Sequence, residues 1–257
     1  MTIRVDDELL PDDRMPPRDD GAFAPFETMG AHNGAVPLWT EHLQRLTAAA
    51  GRLGLSFSPG PELRAGATEL LLANGDGDGI LRLMLVPSGG RVRTVLTSRS
   101  RGVALSTVKL LPTVVERPAG VPFDLKVAPR RFWDAVQQQA QDGGADDGIA
   151  VDADGTVREA ATGNLWLRID SVWITPALDG MVLPGIARAR LLTEARAAGL
   201  TVVERRCELD DLHRAEALAH SNAVHGPRAA VLLGQAAETV RFVDTELAPL
   251  WRPSISE

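Results

Sequence analysis

The chain is long enough for one large domain or two smaller ones, and its composition excludes several classes of protein. Its 257 residues are 44% hydrophobic, and its formal net charge of −7 with no basic run argues against a general nucleic-acid binder. One cysteine rules out a disulfide framework, and the five histidines lack zinc-site spacing, so no metal is expected. No apolar run reaches about 18 residues and the acidic start is unlike a signal peptide, so we expect a cytoplasmic protein without a membrane partner.

The first part of the chain predicts alternating strands and helices after an irregular start. Residues 1–20 are rich in Pro and Asp, which predicts irregular structure. A strand over 26–31 precedes Asn33-Gly34, a dipeptide typical of hairpin turns. Thr40 has the chemistry of a helix N-cap, and the apolar spacing predicts a helix from there to near Gly54. The other elements predicted here are a helix over 62–73 and strands over 80–86 and 92–97.

Pro and Gly interrupt the chain between Thr113 and Asp124. This composition predicts an interdomain linker at residues 115–124, between a small domain of residues 1–114 and a large domain of residues 125–257. Beyond the linker, helices are predicted over 131–141, 186–198 and 210–215, and strands over 148–152, 156–159, 164–168, 171–175, 202–205, 217–221 and 229–233. The mixture predicts an α+β protein of two lobes.

Lysine is rare in this chain, since only Lys109 and Lys126 occur among 27 Lys and Arg residues. An amine can lose its proton, attack a carbonyl and form a Schiff base, which a guanidinium cannot do. An Arg-rich genome explains the scarcity equally well. The local sequence therefore leaves open whether Lys126, Lys109 or neither is reactive.

The residues that follow Lys126 have an order suited to pyridoxal-phosphate chemistry. That chemistry needs a lysine, an acid beside the pyridine nitrogen and a phosphate cup, which a helix N-terminus can supply. Glu159 and the turn Leu183-Pro184-Gly185 come after Lys126 in that order. Each has a simpler interpretation alone: a surface lysine, a solvated edge-strand carboxylate and an ordinary helix start. Arg45, one turn from Glu41, could equally be an intrahelical ion pair.

The whole set resembles the class IV aminotransferases, the fold-type IV pyridoxal-phosphate enzymes that include branched-chain and D-amino-acid aminotransferases and 4-amino-4-deoxychorismate lyase. The resemblance covers nearly all of the chain. It rests on Phe26-Glu27-Thr28, Asn33-Gly34, Glu41-His42-Leu43-Gln44-Arg45-Leu46, Lys126, Gly144-Ala145-Asp146, Asp152-Ala153-Asp154-Gly155, Glu159, Asn164-Leu165 and Leu183-Pro184-Gly185-Ile186. It implies a two-lobed fold like that of D-amino-acid aminotransferase, with a small N-terminal α/β lobe and a larger C-terminal lobe, and a homodimer.

The resemblance also implies a role for individual residues. Lys126 becomes the catalytic Schiff-base lysine and Glu159 the partner of the pyridine nitrogen, while Lys109 drops out because no partner follows it at the right spacing. The further residues expected to bind the cofactor are Arg45, Gly185, Ile186, Ala187, Ser221 and Asn222. The residues expected to bind a small amine or amino-acid substrate are Arg130, Phe26, Thr28 and Asn222.

Within the family, three features favour the lyase, which makes 4-aminobenzoate and pyruvate for folate biosynthesis. Arg130 stands four residues after the lysine, Ser221-Asn222-Ala223-Val224 resembles the Asn-Ala turn of the lyase, and the tail Leu247-Ala248-Pro249-Leu250-Trp251-Arg252-Pro253 is similar. The alternative is an aminotransferase for branched-chain or D-amino acids. A non-catalytic relative is a third possibility, because the family's Gly-Asp-Gly before Phe26 is absent. Two further departures from the family are Ala187, which replaces a hydroxyl residue, and the lack of any tyrosine.

Overall fold

The computed structural model describes residues 1–233 and 246–252 and contains fifteen strands and five α-helices in that part of the chain. The strands are β1 (Thr2–Val5), β2 (Glu8–Pro11), β3 (Ala24–Gly30), β4 (Ile80–Ser88), β5 (Arg91–Arg99), β6 (Thr107–Val114), β7 (Val127–Ala128), β8 (Asp147–Val151), β9 (Thr156–Ala160), β10 (Asn164–Ile169), β11 (Val172–Pro176), β12 (Val202–Arg205), β13 (Cys207–Glu208), β14 (Ala217–Asn222) and β15 (Gly226–Leu232). The helices are α1 (Trp39–Arg52), α2 (Glu62–Ala73), α3 (Arg131–Asp142), α4 (Ile186–Ala197) and α5 (Leu209–Arg214). Contacts divide the chain into two compact units.

Unit 1 contains Met1–Ala104 and Leu125–Pro129. Its antiparallel sheet has the strand order β2-β1-β5-β4-β3-β7. Leu81, Leu83 and Leu85 alternate along β4, so they lie on one face of the sheet, where they share a core with Leu46 of α1 and Leu70 of α2. The opposite face of β3 and β4 is therefore left to other side chains, which include the site residues described below.

Unit 2 contains Leu105–Asp124 and the described residues from Arg130 to Arg252. Its mixed sheet has the order β12-β11-β10-β14-β15-β6-β8-β9-β13. Strand β6 pairs in parallel with both β15 and β8 and so lies inside this sheet. The apolar core is built from strand residues such as Leu110, Ile149, Leu165 and Leu167.

The α+β fold is confirmed, and most local predictions hold where turn chemistry fixes the backbone. Asn33 and Gly34 have φ values of 49° and 75°, the positive pair that a type I′ hairpin turn needs. Gly89 and Gly90 do the same between β4 and β5, with φ values of 58° and 76°. Helix α2 has the predicted bounds.

Two local predictions are wrong. Residues 1–20 are not irregular throughout, because β1 and β2 form a hairpin that joins the sheet through β5. Pro11 is compatible with this arrangement since it ends an edge strand, where a missing N–H is tolerated. Thr40 is not a helix cap: α1 already begins at Trp39, and the N-cap is Leu38, with φ 56° and no capping side chain.

The division between the units also differs from the predicted positions. Unit 2 begins at Leu105, and the segment predicted as a linker, 115–124, belongs to it. The reason is β6, which pairs with β8 and β15 in the second sheet, so the first stretch of unit 1 ends at Ala104, ten residues before the predicted end of the small domain at residue 114. Residues Leu125–Pro129, which carry Lys126, are part of unit 1.

Candidate active site

Lys126 is held by the backbone at the start of β3. Its carbonyl oxygen accepts a hydrogen bond of 2.9 Å from Phe26 N, and the next residue, Val127, pairs with Pro25. The Lys126 Nζ lies 4.9 Å from the centre of the Phe26 ring. Thr28 lies on the same face of β3 as Phe26, because it is two residues further along the strand. Within unit 1, the predicted catalytic lysine therefore lies at the same face of β3 as Phe26 and Thr28, which are the two predicted substrate-binding residues of this unit.

Arg82 of β4 lies on that same face. It is the cross-strand partner of Thr28, and its Cζ is 3.9 Å from the centre of the Phe26 ring. Sequence reasoning missed this guanidinium, although the alternation of buried leucines along β4 places residue 82 opposite the helices.

Glu27 lies on the other face of β3, against α1, and organises Arg45. Its carboxylate is almost fully buried and accepts hydrogen bonds from Arg45 Nε at 2.7 Å and Arg45 Nη2 at 2.5 Å. His42 Nδ1 lies 2.8 Å from the same carboxylate. This bidentate geometry fixes the plane of the guanidinium. Arg45 is thus pre-oriented, and its contact with phosphate stays a prediction.

The electrostatics of this cluster favour an ionised Glu27. Burial alone would raise its pKa, but the charge of Arg45 and the hydrogen bonds from His42 and Arg45 outweigh burial and lower the pKa from 4.5 to about 2. Burial lowers the pKa of His42, against the opposing effect of Glu27. With an ionised carboxylate as its neighbour, His42 Nδ1 carries the proton and donates it.

Glu159 is the corresponding buried carboxylate of unit 2. It lies near the end of β9 with 4% of its surface exposed. Asn164 Nδ2 donates to its Oε2 at 3.0 Å, and the Leu183 amide donates to its Oε1 at 2.8 Å. Both oxygens are therefore fixed, one by a side chain five residues further on and one by the turn before α4.

That turn requires glycine at position 185. A Cβ atom added to Gly185 would lie 1.9 Å from Asn164 Oδ1, so no other residue fits without displacing the asparagine. Asn164 Nδ2 also donates to Leu183 O at 3.0 Å, which ties the turn to β10. Helix α4 starts at the next residue, Ile186, followed by the buried Ala187. Because Gly185 has no side chain, it leaves the first-turn amides of α4 uncapped by its own atoms.

Arg188 anchors the start of α4 from beneath and was not singled out from the sequence. Its side chain is 2% exposed, and its Nη2 donates to Pro176 O and to Glu204, each at 2.9 Å. Nε donates to Thr175 Oγ1 at 3.3 Å. An arginine one turn into a helix otherwise resembles a surface residue, so the sequence carries no clear signal of this burial.

Two of the remaining predicted residues, Arg130 and Asn222, contact the segment between β9 and β10, and the third, Ser221, contacts β10. Arg130 is half-buried, and its Nη2 donates to Ala161 O at 2.6 Å. Asn222 Nδ2 donates to Thr162 O at 3.3 Å. Ser221 is buried, and its Oγ accepts a 2.9 Å hydrogen bond from Trp166 Nε1. Unit 2 therefore gathers Arg130 and Asn222 on the segment that follows Glu159.

A family model described as amino-transferase class IV matches residues 24–231. The chain belongs to this family. A probable branched-chain-amino-acid aminotransferase from Rickettsia bellii is 29% identical over 202 residues, which cover 73% of this chain and 70% of that protein. A D-alanine aminotransferase from Bacillus licheniformis is 27% identical over 208 residues, which cover 74% and 72%.

Solved structures show the same fold. A Legionella pneumophila protein assigned as a 4-amino-4-deoxychorismate lyase has a TM-score of 0.81 and 21% identity, covering 93% of this chain and 95% of that one. A branched-chain aminotransferase from Thermoproteus uzoniensis has a TM-score of 0.83 and 19% identity, covering 94% and 89%. The expectation of a class IV enzyme, aminotransferase or lyase, is confirmed at the level of the family.

Class IV aminotransferases use pyridoxal phosphate, and the donor groups of this member fit that cofactor. Unit 1 contains an amine at Lys126 and an oriented cation at Arg45, and unit 2 contains a buried carboxylate with fixed oxygens at Glu159, which are the kinds of group that this cofactor needs. Gly185 is the N-cap of α4 and has no side chain to bond the amides of the first helical turn. Among the described residues, no cluster of His, Cys, Asp or Glu could hold a metal ion. No helix within residues 1–233 and 246–252 is long and apolar enough to cross a membrane.

Proposed function

We propose that this chain is a pyridoxal-phosphate-dependent lyase that converts 4-amino-4-deoxychorismate into 4-aminobenzoate and pyruvate. The observation that carries the choice of lyase is Arg130. Instead of extending into solvent, its side chain turns onto Ala161, in the segment that follows Glu159. A cation held there suits a substrate with two carboxylates better than an amino acid with an apolar side chain.

Lys126 is the residue we assign to the cofactor and to proton transfer. When bound, pyridoxal phosphate supplies an aldehyde that condenses with amines and a protonated ring that accepts electrons from the carbon bearing the amine. With the cofactor bound, the substrate amine would take the place of Lys126, and the freed Nζ would remove the proton from the carbon that bears the amine. The bond between the substrate ring and the enolpyruvyl oxygen would break, the substrate ring would become aromatic, and the proton would pass to the methylene carbon of the departing enolpyruvate to give pyruvate. The two products contain every atom of the substrate, so no second substrate is consumed.

Glu159 is proposed to hold the proton on the pyridine nitrogen. Its two oxygens are already fixed by Asn164 and the Leu183 amide, so little reorganisation is needed when charge develops in the ring. Arg45 and the first-turn amides of α4, at Ile186 and Ala187, are proposed to hold the phosphate, since a helix N-terminus and an oriented guanidinium both favour an anion. Ser221 and Asn222 complete the proposed cofactor contacts.

An aminotransferase for branched-chain or D-amino acids is the second candidate, because the two curated relatives carry those names. The two activities differ in stoichiometry: transamination needs a 2-oxo acid as acceptor, and the lyase reaction needs none. Purified protein loaded with pyridoxal phosphate should form 4-aminobenzoate and pyruvate in equal amounts from 4-amino-4-deoxychorismate alone. Amino-group exchange with a 2-oxo acid panel and no 4-aminobenzoate would replace the lyase with the aminotransferase.

The cofactor assignment has a separate test. Borohydride reduction of the loaded protein followed by peptide mapping should place the pyridoxyl group on Lys126. Lys126→Arg should abolish labelling, whereas the matched Lys109→Arg, at an exposed position of β6, should not. A label on Lys109 with Lys126 unmodified would overturn the assignment, and the lack of any label would favour a non-catalytic relative.

A further inference from the structure

A second buried carboxylate of unit 2, Asp147, lies beneath the loop that joins Glu159 to Asn164. We name residues Ala161, Thr162 and Gly163 the 161–163 loop. Asp147 Oδ2 accepts hydrogen bonds from Thr162 N at 3.0 Å and Thr162 Oγ1 at 2.5 Å, and its Oδ1 accepts one from Gly148 N at 2.8 Å. Asp147 thus holds the centre of the loop from below.

His220 completes this network with a defined tautomer. Its ring is fully buried, and its Nε2 lies 3.3 Å from Asp147 Oδ2. On the other side, Arg228, its cross-strand partner on β15, places Nη2 at 3.3 Å from His220 Nδ1. A guanidinium can only donate, so Nδ1 must be the acceptor and Nε2 carries the proton. The ring therefore links the two side chains, donating to Asp147 and accepting from Arg228.

The 161–163 loop packs directly on this imidazole. A Cβ atom added to Gly163 would lie 2.6 Å from His220 Nε2 and 2.5 Å from Ser221 O, so only glycine allows the contact. Thr162 Oγ1 lies 3.4 Å from His220 Nε2. The ends of the loop are closed by the bridge between Ala160 and Gly163. A shift of the ring would therefore move the loop.

The loop also connects the residues assigned to cofactor and substrate. Glu159 precedes it and Asn164, which donates to Glu159, follows it. Arg130 donates to its first carbonyl and Asn222 to its second. Three residues with assigned roles, Glu159, Arg130 and Asn222, are thus connected through the 161–163 loop, together with Asn164, which donates to Glu159. The underside of this loop contacts Asp147 and His220.

We propose that His220 is a positioning residue, which acts through Asp147 and the 161–163 loop to set the place of Glu159 and Asn164. The effect of His220 on catalysis rests on the function proposed above, whereas the effect of His220 on the loop does not. His220→Leu gives a side chain of similar size that cannot donate a hydrogen bond to Asp147. His220→Gln keeps a donor at about the position of Nε2. His213→Leu, an exposed position on α5, is the matched control.

Amide hydrogen exchange of the cofactor-free protein tests the loop directly. Loss of one buried hydrogen bond should raise exchange in peptides that cover residues 160–164 by about tenfold in His220→Leu. His220→Gln should stay within about twofold of the wild type, and His213→Leu should not change this region. Should His220→Leu fail to fold, Thr162→Val removes the loop hydroxyl from Asp147 and should raise exchange in the same peptides. Unchanged exchange in the variant that folds would overturn the proposal.

Spectroscopy then separates positioning from a merely structural role. In His220→Leu loaded with pyridoxal phosphate, the dissociation constant should rise at least about fivefold and the pH dependence of the cofactor absorbance should shift, with rescue in His220→Gln. A lower melting temperature with unaltered affinity and absorbance would show a structural role only and would refute positioning. If the wild type itself binds no pyridoxal phosphate, the proposed function fails. The exchange experiment uses cofactor-free protein, so it still tests whether His220 holds the 161–163 loop in place.

Discussion

Replacing Glu27 with glutamine should destabilise unit 1, and the size of the loss can be estimated from the contacts of Glu27 with Arg45 and His42. The carboxylate is buried and bound by both Arg45 and His42. A pKa lowered from 4.5 to about 2 corresponds to about 3 kcal/mol of stability at neutral pH. Glu27→Gln removes the charge but leaves Arg45 only 16% exposed, and breaking such a pair from one side typically costs about 3–5 kcal/mol. We expect a loss of about 3 kcal/mol.

The sign of the pH dependence follows from the direction of the shift. Because the folded state binds the proton of Glu27 more weakly, this contribution is complete above pH 4.5 and is lost as the pH falls toward 2. The difference between wild type and Glu27→Gln should therefore be largest at pH 7 and close over that acidic range. An increase of the gap from pH 4.5 to 2 would contradict the assignment.

The assay needs a probe inside unit 1. Of the five tryptophans, Trp39 falls in that unit, where it is buried against the α1 core. Labelling with 5-fluorotryptophan and following the Trp39 signal by ¹⁹F NMR through a urea titration reports the unfolding of unit 1 alone. Glu41→Gln, exposed in the first turn of α1, is the matched control and should change stability by less than about 0.5 kcal/mol. Equal stability of the two variants at pH 7 would refute the reasoning.

Four further predictions concern single residues. Glu159→Gln should retain the cofactor but lower kcat on the order of 10²-fold, and unchanged turnover would remove its role. Arg45→Ala should weaken cofactor binding by roughly 1.5–3 kcal/mol in a spectrophotometric titration, and unaltered affinity would exclude a phosphate contact. Burial raises the pKa of Cys207 to about 12, so Ellman's reagent at pH 8 should modify native protein about 10³-fold more slowly than unfolded protein. Arg130→Ala should abolish 4-aminobenzoate formation while the cofactor spectrum stays intact, and full activity in that variant would count against the lyase.

The features that could be predicted from the sequence are those set by neighbouring residues. Asn33-Gly34 and Gly89-Gly90 require positive φ values, so their hairpins are readable locally. The Glu27–His42 contact spans 15 residues, and nothing next to either residue indicates it. One signal was available: His42 and Arg45 fall on the same helical stripe as the buried Leu46, which turns both toward the sheet.

The misplaced boundary between the units has the same cause. The pairing of β6 depends on β8 and on β15, whose contact with Thr107 comes from Ala229. Thr107 and Ala229 are far apart in the sequence, and no local pattern indicates that they pair, because the pairing of strands depends on packing across the whole sheet. The order of motifs after Lys126 pointed to Glu159, Asn164 and the turn at Leu183. The hydrogen bonds that join these residues could be seen only in the structure.

The interior position of β6 has a consequence for synthesis on the ribosome. Thr107 emerges long before Ala229, its eventual neighbour, so roughly 120 residues must be added before β15 can pair with it. At a translation rate of about 5–20 residues per second, the edge of β6 that pairs with β15 stays unpaired for roughly 6–24 s. The nascent chain thus carries an unprotected strand edge, and a chaperone that binds extended segments has its best opportunity there before Ala229 is translated.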